Sequence, residues 1–180
     1  VPKCAGTSLN KALYPDTTLG HRSAGLYQTF FPEQYQHYFT FAFARNPWDR
    51  LVSAYSYLCK GGNPRHDAAW QTTLQRFASF DEFVKEWLCA ENVVKQIHFA
   101  PQHQYICDNT GVVSLDFVGK LETISEDFAY ITQELGVDVQ LQELNRSRKD
   151  DYRSYYSDAS IERVLDVYKR DIQLFGYQFD

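Results

Sequence analysis

The chain has 180 residues, of which 44% are hydrophobic and 23% are charged, a balance typical of one globular domain and not of a disordered chain. Its 18 lysines and arginines against 23 aspartates and glutamates give a net charge of −5, which argues against a general nucleic-acid binder. No run approaches the roughly 18 apolar residues that a membrane-spanning helix needs, so we expect no membrane span within this chain.

The cysteines and histidines show no metal-binding pattern. The four cysteines lie far apart, without a C-x-x-C pair, and the five histidines have no H-E-x-x-H or similar spacing. We therefore predict that no metal is required and that the cysteines are free thiols, mostly buried. One disulfide among Cys59, Cys89 and Cys107 is the alternative.

The first third of the chain predicts one strand between helices. Gly6 opens a short helix that Pro15 ends. The aromatic run 38–44 has strand length and suits a sheet buried on both faces. Asn46 and Pro47 then form a typical N-cap and first helical residue for a helix over 48–60.

The rest of the chain predicts mainly helices. We expect the glycine-rich loop at 61–67 to be mobile. After it, the patterns indicate helices over 68–77, 79–90 and 124–135 and a C-terminal helix over 158–175. A strand pair is predicted at 104–118. Capping boxes begin at Ser79 and Thr123. Apolar strands that each lead into a helix favour an α/β fold with a parallel core.

The N-terminal segment VPKCAGTS has the composition of an anion-binding loop. Small residues allow the backbone to approach a ligand closely, and the N–H groups at the start of a helix favour an anion. Lys3 adds a charge, and Thr7 and Ser8 add hydroxyl donors. However, no Gly-Lys-Ser/Thr sequence is present, which disfavours a Mg²⁺-dependent nucleoside triphosphatase. An ordinary capped helix start is the alternative.

A second motif, ARNPWDRLVSAY, follows the aromatic strand. Arg45 stands where a strand ends and a helix begins, which is a favourable place for a phosphate contact. Ser53 follows two helical turns later. For either residue alone, the structural interpretation is favoured, with Arg45 capping the strand and Ser53 on the helix surface.

Together the two motifs resemble the sulfotransferase family. P-K-x-x-G-T-S-L is similar to the loop that holds the 5′-phosphosulfate of PAPS (3′-phosphoadenosine 5′-phosphosulfate), and R-N-P-W-D-R-L-V-S-A-Y to the segment that holds its 3′-phosphate. The carbohydrate branch, with the heparan sulfate 2-O-sulfotransferases and small bacterial relatives, is the nearest. Segments around Asp116 to Glu122 and Tyr168 to Tyr177 also resemble the family, so nearly the whole chain is covered, most weakly at 61–99.

The resemblance implies a fold and a set of roles. The fold would be a P-loop-like three-layer sandwich with a central parallel sheet flanked by helices, formed as a single domain over 1–180. PAPS would be the cofactor, adenosine 3′,5′-bisphosphate the product, and a hydroxyl-bearing glycan or small molecule the acceptor. Lys3 would stabilise charge on the departing phosphate, and Arg45 and Ser53 would hold the 3′-phosphate. The 5′-phosphosulfate would be bound by Lys3, Cys4, Ala5, Gly6, Thr7 and Ser8.

The resemblance also suggests the catalytic base. His21 stands in a Gly-His segment comparable to that of the 2-O-sulfotransferase branch, and a neutral imidazole suits the role. A carboxylate is the alternative, for which the candidates are Asp16 in a turn and Glu33 in an expected loop. Cys4 as a nucleophile is disfavoured, because direct transfer needs no such group. The late basic loop resembles the one that closes over the cofactor, through Arg146, Arg148 and Lys149.

Two other functions stay open. One is a P-loop kinase-like phosphotransferase, with Asp116 as a possible Mg²⁺ ligand; the other is a non-catalytic anion- or glycan-binding module on the same fold. The family implies a cytoplasmic location for a bacterial protein, or the Golgi lumen for an animal protein anchored outside this chain. We also expect a strand before residue 1, because the first motif begins at Val1. The acceptor and the oligomeric state are not readable from the sequence.

Overall fold

A computed structural model describes residues 1–17, 20–141 and 151–180. The chain divides into two compact units. Of the described residues, the first unit contains 1–17, 20–45 and 102–141, and the second contains 46–101 and 151–180. The prediction of a single domain over 1–180 stays a prediction.

The described residues form short helices and two strands. In the first unit these are α1 (Gly6–Leu13), α2 (Ala24–Phe30), α3 (Pro32–His37), β1 (Phe41–Ala44), α8 (His103–Ile106), β2 (Phe117–Lys120) and α9 (Ile124–Leu135). In the second unit they are α4 (Pro47–Cys59), α5 (Ala68–Leu74), α6 (Phe80–Trp87), α7 (Ala90–Val93), α10 (Asp158–Val167) and α11 (Lys169–Phe175). Two 3-10 turns span Leu121–Thr123 and Tyr152–Tyr155.

A parallel pair of strands carries the first unit. β1 pairs with β2 in parallel, from Phe41 opposite Phe117 to Ala44 opposite Lys120, so the α/β class is confirmed. Gly119 is required here, because a Cβ atom at this position would lie 2.7 Å from Cε1 of Phe43. The small core around the strands includes the buried side chains of Phe43, Cys4 and Ile131.

Three sequence predictions in the first unit were wrong. The predicted strand at 104–108 is largely α8, followed by a turn in which the Asp108 carboxylate accepts from Thr110 and Val112, and a single bridge from Cys107 to Val113. The segment after Pro32 is not a loop but α3, with Pro32 in its first turn. Thr123 does not cap α9 with its side chain, because its hydroxyl donates to Asp127 instead. Gly136 ends α9 at a φ of 64°, the left-handed conformation that is common at the C-terminal end of helices.

The second unit begins with the helix start that the sequence predicts. The side chain of Asn46 accepts from the N–H of Trp48 at 3.0 Å, and Pro47 is the first residue of α4. The amide of Asn46 also donates to the carbonyl of Gln178 at 2.8 Å. The guanidinium of Arg50 is buried and donates to the carbonyl of Ala100 at 2.7 Å. Arg50, the second arginine of the motif ARNPWDRLVSAY, therefore has a structural role.

The loop at 61–67 is fixed to the second unit by a buried carboxylate. Asp67 is 3% exposed and accepts from the N–H of Asn63 and the amide of Gln96, with His98 at 3.4 Å. Although burial alone would raise its pKa, these hydrogen bonds and the imidazole hold the pKa of Asp67 below its usual range. The sequence predicted a mobile loop because the contacts of Asp67 with Gln96 and His98, which lie 29 and 31 residues away, are not visible in the local pattern.

The predicted C-terminal helix over 158–175 is two helices. α10 ends at Val167 and α11 begins at Lys169, on either side of Tyr168. Tyr168 is 2% exposed, and its hydroxyl donates to the carbonyl of Phe99 at 2.7 Å. A continuous amphipathic pattern does not reveal this break, because the bond that accompanies it reaches a residue 69 positions away.

All four cysteines are free, with Cys4 and Cys107 buried and Cys59 and Cys89 partly buried. This confirms the free-thiol prediction and rejects the alternative of one disulfide. Among the described residues, no helix combines the length and the apolar character that a membrane crossing needs.

Candidate active site

The N-terminal loop (residues 1–5) adopts an unusual backbone. Lys3 and Ala5 have φ angles of 67° and 58°, and they are the non-glycine residues with positive φ in the described part of the chain. The left-handed conformation costs a non-glycine residue about 1–2 kcal/mol. An alternation of φ sign over successive residues is also typical of backbone concavities that bind anions through their N–H groups. The loop geometry therefore fits the predicted anion-binding role.

The loop ends where α1 begins. Ala5 stands at the N-cap and has no side chain that could cap the helix, and the first turn contains no acidic residue. Gly6 and Thr7 are exposed, whereas Ser8 is 6% exposed. An N-terminal turn without a capping carboxylate keeps the positive end of the helix dipole uncompensated, which favours an anionic ligand there.

The structure brings His21 to this helix start. A Cβ atom added at Gly6 would lie 3.9 Å from Cε1 of His21, within van der Waals contact. His21 is exposed and precedes α2, whose N-cap is Ser23. His21 lines the cavity beside Gly6. The other two candidates for the base, Asp16 and Glu33, do not line it. The geometry therefore favours His21 among them.

That cavity, which lies within the first unit, has a volume of about 690 Å³. Gly6, Thr7 and His21 line one part of it, and Lys11 and Arg22 add positive charge. Aromatic rings supply much of the remaining wall; they are Tyr14, Tyr27, Phe31, Tyr35, Tyr38, Phe39, Phe41, Phe43 and Tyr105. No aspartate or glutamate among the described residues lines it, although acidic residues outnumber basic ones in the chain.

Arg45 is tied to the N-terminal loop. It follows β1, and its Nη1 donates to the carbonyl of Lys3 at 3.2 Å. Its backbone is held on both sides by the amide of Gln102, whose Oε1 accepts from the Arg45 N–H at 2.9 Å and whose Nε2 donates to the Arg45 carbonyl at 2.8 Å. The thiol of Cys4 also donates to Gln102 Oε1, at 3.4 Å.

Sequence reasoning missed Gln102 altogether. Its partners lie 57 and 98 residues away in the chain, so no local pattern marks it. The segment 99–106 contains both Gln102 and Gln104, so the sequence gives no signal that distinguishes the buried amide from its neighbour.

The remaining predicted site residues lie elsewhere. Ser53 is on α4 in the second unit and is 7% exposed, and its pairing with Arg45 stays a prediction. Arg146, Arg148 and Lys149 lie outside the described residues. Nowhere in the described ranges do three or more His, Cys, Asp or Glu side chains form a group that could hold a metal ion.

Asp116, the possible magnesium ligand of a kinase-like enzyme, has a different use. Its carboxylate accepts from the N–H and the hydroxyl of Thr40, each at 2.7 Å, and these bonds hold its pKa below the usual range. Asp116 precedes β2, whereas Arg45 follows β1. Since the two strands are parallel, these residues lie at opposite ends of the pair, and ligands of such sheets bind at the carboxyl ends.

Comparisons with known proteins show what this chain is similar to. The family model described as "Sulfotransferase family" matches residues 1–178. An uncharacterised protein of Archaeoglobus fulgidus is 32% identical over 118 residues, which is 64% of this chain and 83% of that protein. Carbohydrate sulfotransferase 10 of Xenopus laevis is 24% identical over 177 residues, covering 81% of this chain and 49% of that protein. The chain thus spans about half of the amphibian relative. No solved structure gives a significant match.

Proposed function

Because the chain belongs to the sulfotransferase family, we propose that it transfers the sulfuryl group of PAPS to an acceptor hydroxyl, with His21 as the general base. The observation that carries this proposal is the position of the His21 ring beside Gly6. A proton acceptor, a loop with an anion-binding backbone and a neighbouring cavity meet at this point. We also infer from the family that the parallel strands belong to a P-loop-like three-layer sandwich with a central sheet.

The donor would be held by its two charged ends. The N-terminal loop and the first turn of α1 would hold the 5′-phosphosulfate through backbone N–H groups and through the hydroxyls of Thr7 and Ser8. Arg45, with Ser53, would hold the 3′-phosphate, and Arg146 and Arg148 would add positive charge. The left-handed backbone at Lys3 and Ala5 supports this assignment, because backbone strain of this kind clusters at functional sites.

The transfer itself requires one base and one cation. His21 would take the proton of the acceptor hydroxyl, whose oxygen forms the new bond to sulfur while the bond from sulfur to the phosphate oxygen breaks. The electron pair of that bond stays on the phosphate oxygen, where the ammonium of Lys3 stabilises it. Binding fixes the two reactants in line and thereby supplies part of the rate enhancement.

The acceptor would enter the aromatic cavity beside His21. Aromatic faces bind the apolar faces of sugar rings, and Lys11 and Arg22 are able to contact polar or anionic substituents. A carbohydrate is therefore the acceptor class that we propose, in keeping with the name of the amphibian relative. A small alcohol that fits the same cavity is the alternative.

Titration calorimetry with adenosine 3′,5′-bisphosphate, and separately with ATP and Mg²⁺, tests the donor. We expect binding of the bisphosphate and little binding of the triphosphate. Tight binding of ATP with Mg²⁺ and none of the bisphosphate would instead establish the kinase-like alternative. Transfer of labelled sulfate from PAPS to any member of a panel of glycans and alcohols would exclude a non-catalytic module.

The role of His21 has its own test. His21→Ala should lower the rate of sulfate transfer by a factor of about 10²–10⁴, the usual contribution of a general base, while the Kd for the bisphosphate changes less than twofold. His37→Ala is the matched control, since His37 is exposed on α3 in the same unit and does not line the cavity. Turnover retained in His21→Ala would mean that another group is the base.

A further inference from the structure

Gln102 is the one fully buried amide of the first unit's described core. It is 0% exposed, and a primary amide in such a place needs a partner for its donor and for its acceptor. Both atoms are satisfied, but not by neighbours in sequence. The Oε1 atom accepts from the backbone of Arg45 and from the thiol of Cys4, and the Nε2 atom donates to the carbonyl of Arg45.

The amide acts on Arg45 as an adjacent strand would. The pairing of β1 with β2 ends at Ala44 opposite Lys120, one residue before Arg45. The amide of Gln102 bonds both the N–H and the carbonyl of Arg45, at 2.9 and 2.8 Å. These two bonds occupy both polar backbone groups of Arg45 and thereby fix the direction in which its side chain leaves the backbone.

The same amide also reaches the N-terminal loop by two routes. Directly, it accepts from the thiol of Cys4, which is 2% exposed. Indirectly, the guanidinium of Arg45 donates to the carbonyl of Lys3 at 3.2 Å. The residues on either side of Cys4 hold left-handed backbone conformations, which persist only where their surroundings fix them. Gln102 therefore connects both of the segments that carry the phosphate-binding groups.

We propose that Gln102 is a positioning residue for the donor nucleotide. It acts through Arg45 and Cys4, and it keeps the group assigned to the 3′-phosphate in register with the loop assigned to the 5′-phosphosulfate. This inference rests on the proposed function. Glutamine suits this role because its amide group carries both a hydrogen-bond donor and an acceptor. A carboxylate has no donor for the Arg45 carbonyl, and an aliphatic side chain has neither a donor nor an acceptor.

The test compares two buried glutamines. Gln102→Met keeps the volume and removes both polar atoms, and Gln96→Met does the same in the second unit, where Gln96 is 5% exposed and donates to Asp67. Both variants should lose stability. In calorimetry with adenosine 3′,5′-bisphosphate, Gln102→Met should raise the Kd by about tenfold or more, the effect of losing one or two hydrogen bonds, and Gln96→Met should change it less than twofold.

A pH profile separates positioning from stability alone. In Gln102→Glu a protonated carboxyl regains one donor for the Arg45 carbonyl, whereas the carboxylate has none. The ratio of its Kd to that of the wild-type protein should therefore fall as the pH is lowered from 8 to 5.5, and the ratio for Gln102→Met should stay constant. If Gln102→Met does not fold, Gln102→Asn, which withdraws the amide by one methylene, replaces it in the same comparison.

The outcomes separate this inference from the proposed function. Wild-type binding together with equal bisphosphate affinity in the Gln102 and Gln96 variants would overturn the positioning role and leave the function standing. A pH-independent ratio for Gln102→Glu would do the same. Absence of bisphosphate binding by the wild-type protein would overturn the proposed function and, with it, this inference.

Discussion

At the scale of single residues, a substitution of Gly6 by alanine tests whether the start of α1 is a ligand site. Among the described residues, the nearest atom to a methyl group at this position would be Cε1 of His21 at 3.9 Å, so this part of the folded protein has room for it. Alanine also favours a helix over glycine by up to about 1 kcal/mol. A bound phosphosulfate, however, would have to approach the backbone where the methyl group stands.

We therefore expect Gly6→Ala to unfold at the same temperature as the wild-type protein or slightly above it, while its Kd for adenosine 3′,5′-bisphosphate rises by about tenfold or more. Thermal unfolding and calorimetry on the same samples measure the two effects. An unchanged Kd would show that the ligand does not approach the first turn of α1.

The residues that sequence reasoning identified correctly are those whose role is local. Asn46 and Pro47 form a helix start within three residues of chain, and the structure confirms them. Lys3 shows the limit of such reasoning, because a lysine pattern does not reveal a φ of 67°. Gln102 shows it more strongly, since its role depends on contacts with residues 57 and 98 positions away.

At the scale of secondary-structure elements, helices were easier to place than their ends. The start of α6 follows from Ser79, whose hydroxyl accepts from the N–H of Glu82, because capping is a property of adjacent residues. The division between α10 and α11 depends on the burial of Tyr168 and its bond to Phe99, which amphipathic periodicity does not contain. The sequence predicted an α/β fold with a parallel core. It did not predict that the second strand would be Phe117–Lys120, at the end of the predicted strand pair at 104–118.

The close approach of the two strands gives a prediction for Gly119. A Cβ atom there would lie 2.7 Å from Cε1 and 3.0 Å from Cδ1 of Phe43, and 3.1 Å from Cβ of Asp127. Phe43 is 2% exposed and has little freedom to move. Gly119→Ala should therefore lower the free energy of unfolding by about 1–3 kcal/mol, as overpacking of a core does.

Urea unfolding monitored by circular dichroism measures this change. Gly20→Ala is the control for stability, because the nearest atom of the described residues to a Cβ atom there would be Nε of Arg22, at 3.9 Å. If Gly119→Ala is as stable as the control, the strands are less tightly packed against Phe43 than the structure shows.

At the scale of the whole molecule, net charge proved a poor guide to the site. The chain carries a charge of −5, which excludes a nucleic-acid coat but does not describe one cavity. Among the described residues the cavity wall includes Lys11, His21 and Arg22 and no carboxylate. Some of the acidic residues are used for structure instead, as Asp67 and Asp116 show. Positive charge in this cavity would favour an acceptor with polar or anionic substituents, although the total charge of the chain is negative.

The structural carboxylates also determine how stability depends on pH. Asp81 on α6 accepts from the hydroxyl of Ser157 at 2.6 Å, next to the start of α10, and pairs with Lys85 at 2.8 Å. Although burial works in the opposite direction, the bonds from Lys85, Ser157 and Ser160 hold the pKa of Asp81 well below its usual range. The contribution of such a carboxylate is complete above the unfolded pKa of about 3.9 and is lost as the pH falls towards the folded pKa.

Asp81→Asn should therefore lower the free energy of unfolding by about 1 kcal/mol at pH 7, a value reduced by the partial exposure of the pair. The difference from the wild-type protein should shrink steadily between pH 4 and pH 2, because Asp81 of the unfolded wild-type chain takes up a proton in that range, whereas the folded protein holds the carboxylate ionised. Urea titrations at pH 7, 4, 3 and 2 measure the curve. Asp166→Asn, on the exposed face of α10, is the control, and its free energy of unfolding should follow that of the wild type in parallel at every pH. If the curve for Asp81→Asn is equally parallel to that of the wild type, the bond between α6 and the start of α10 contributes no stability.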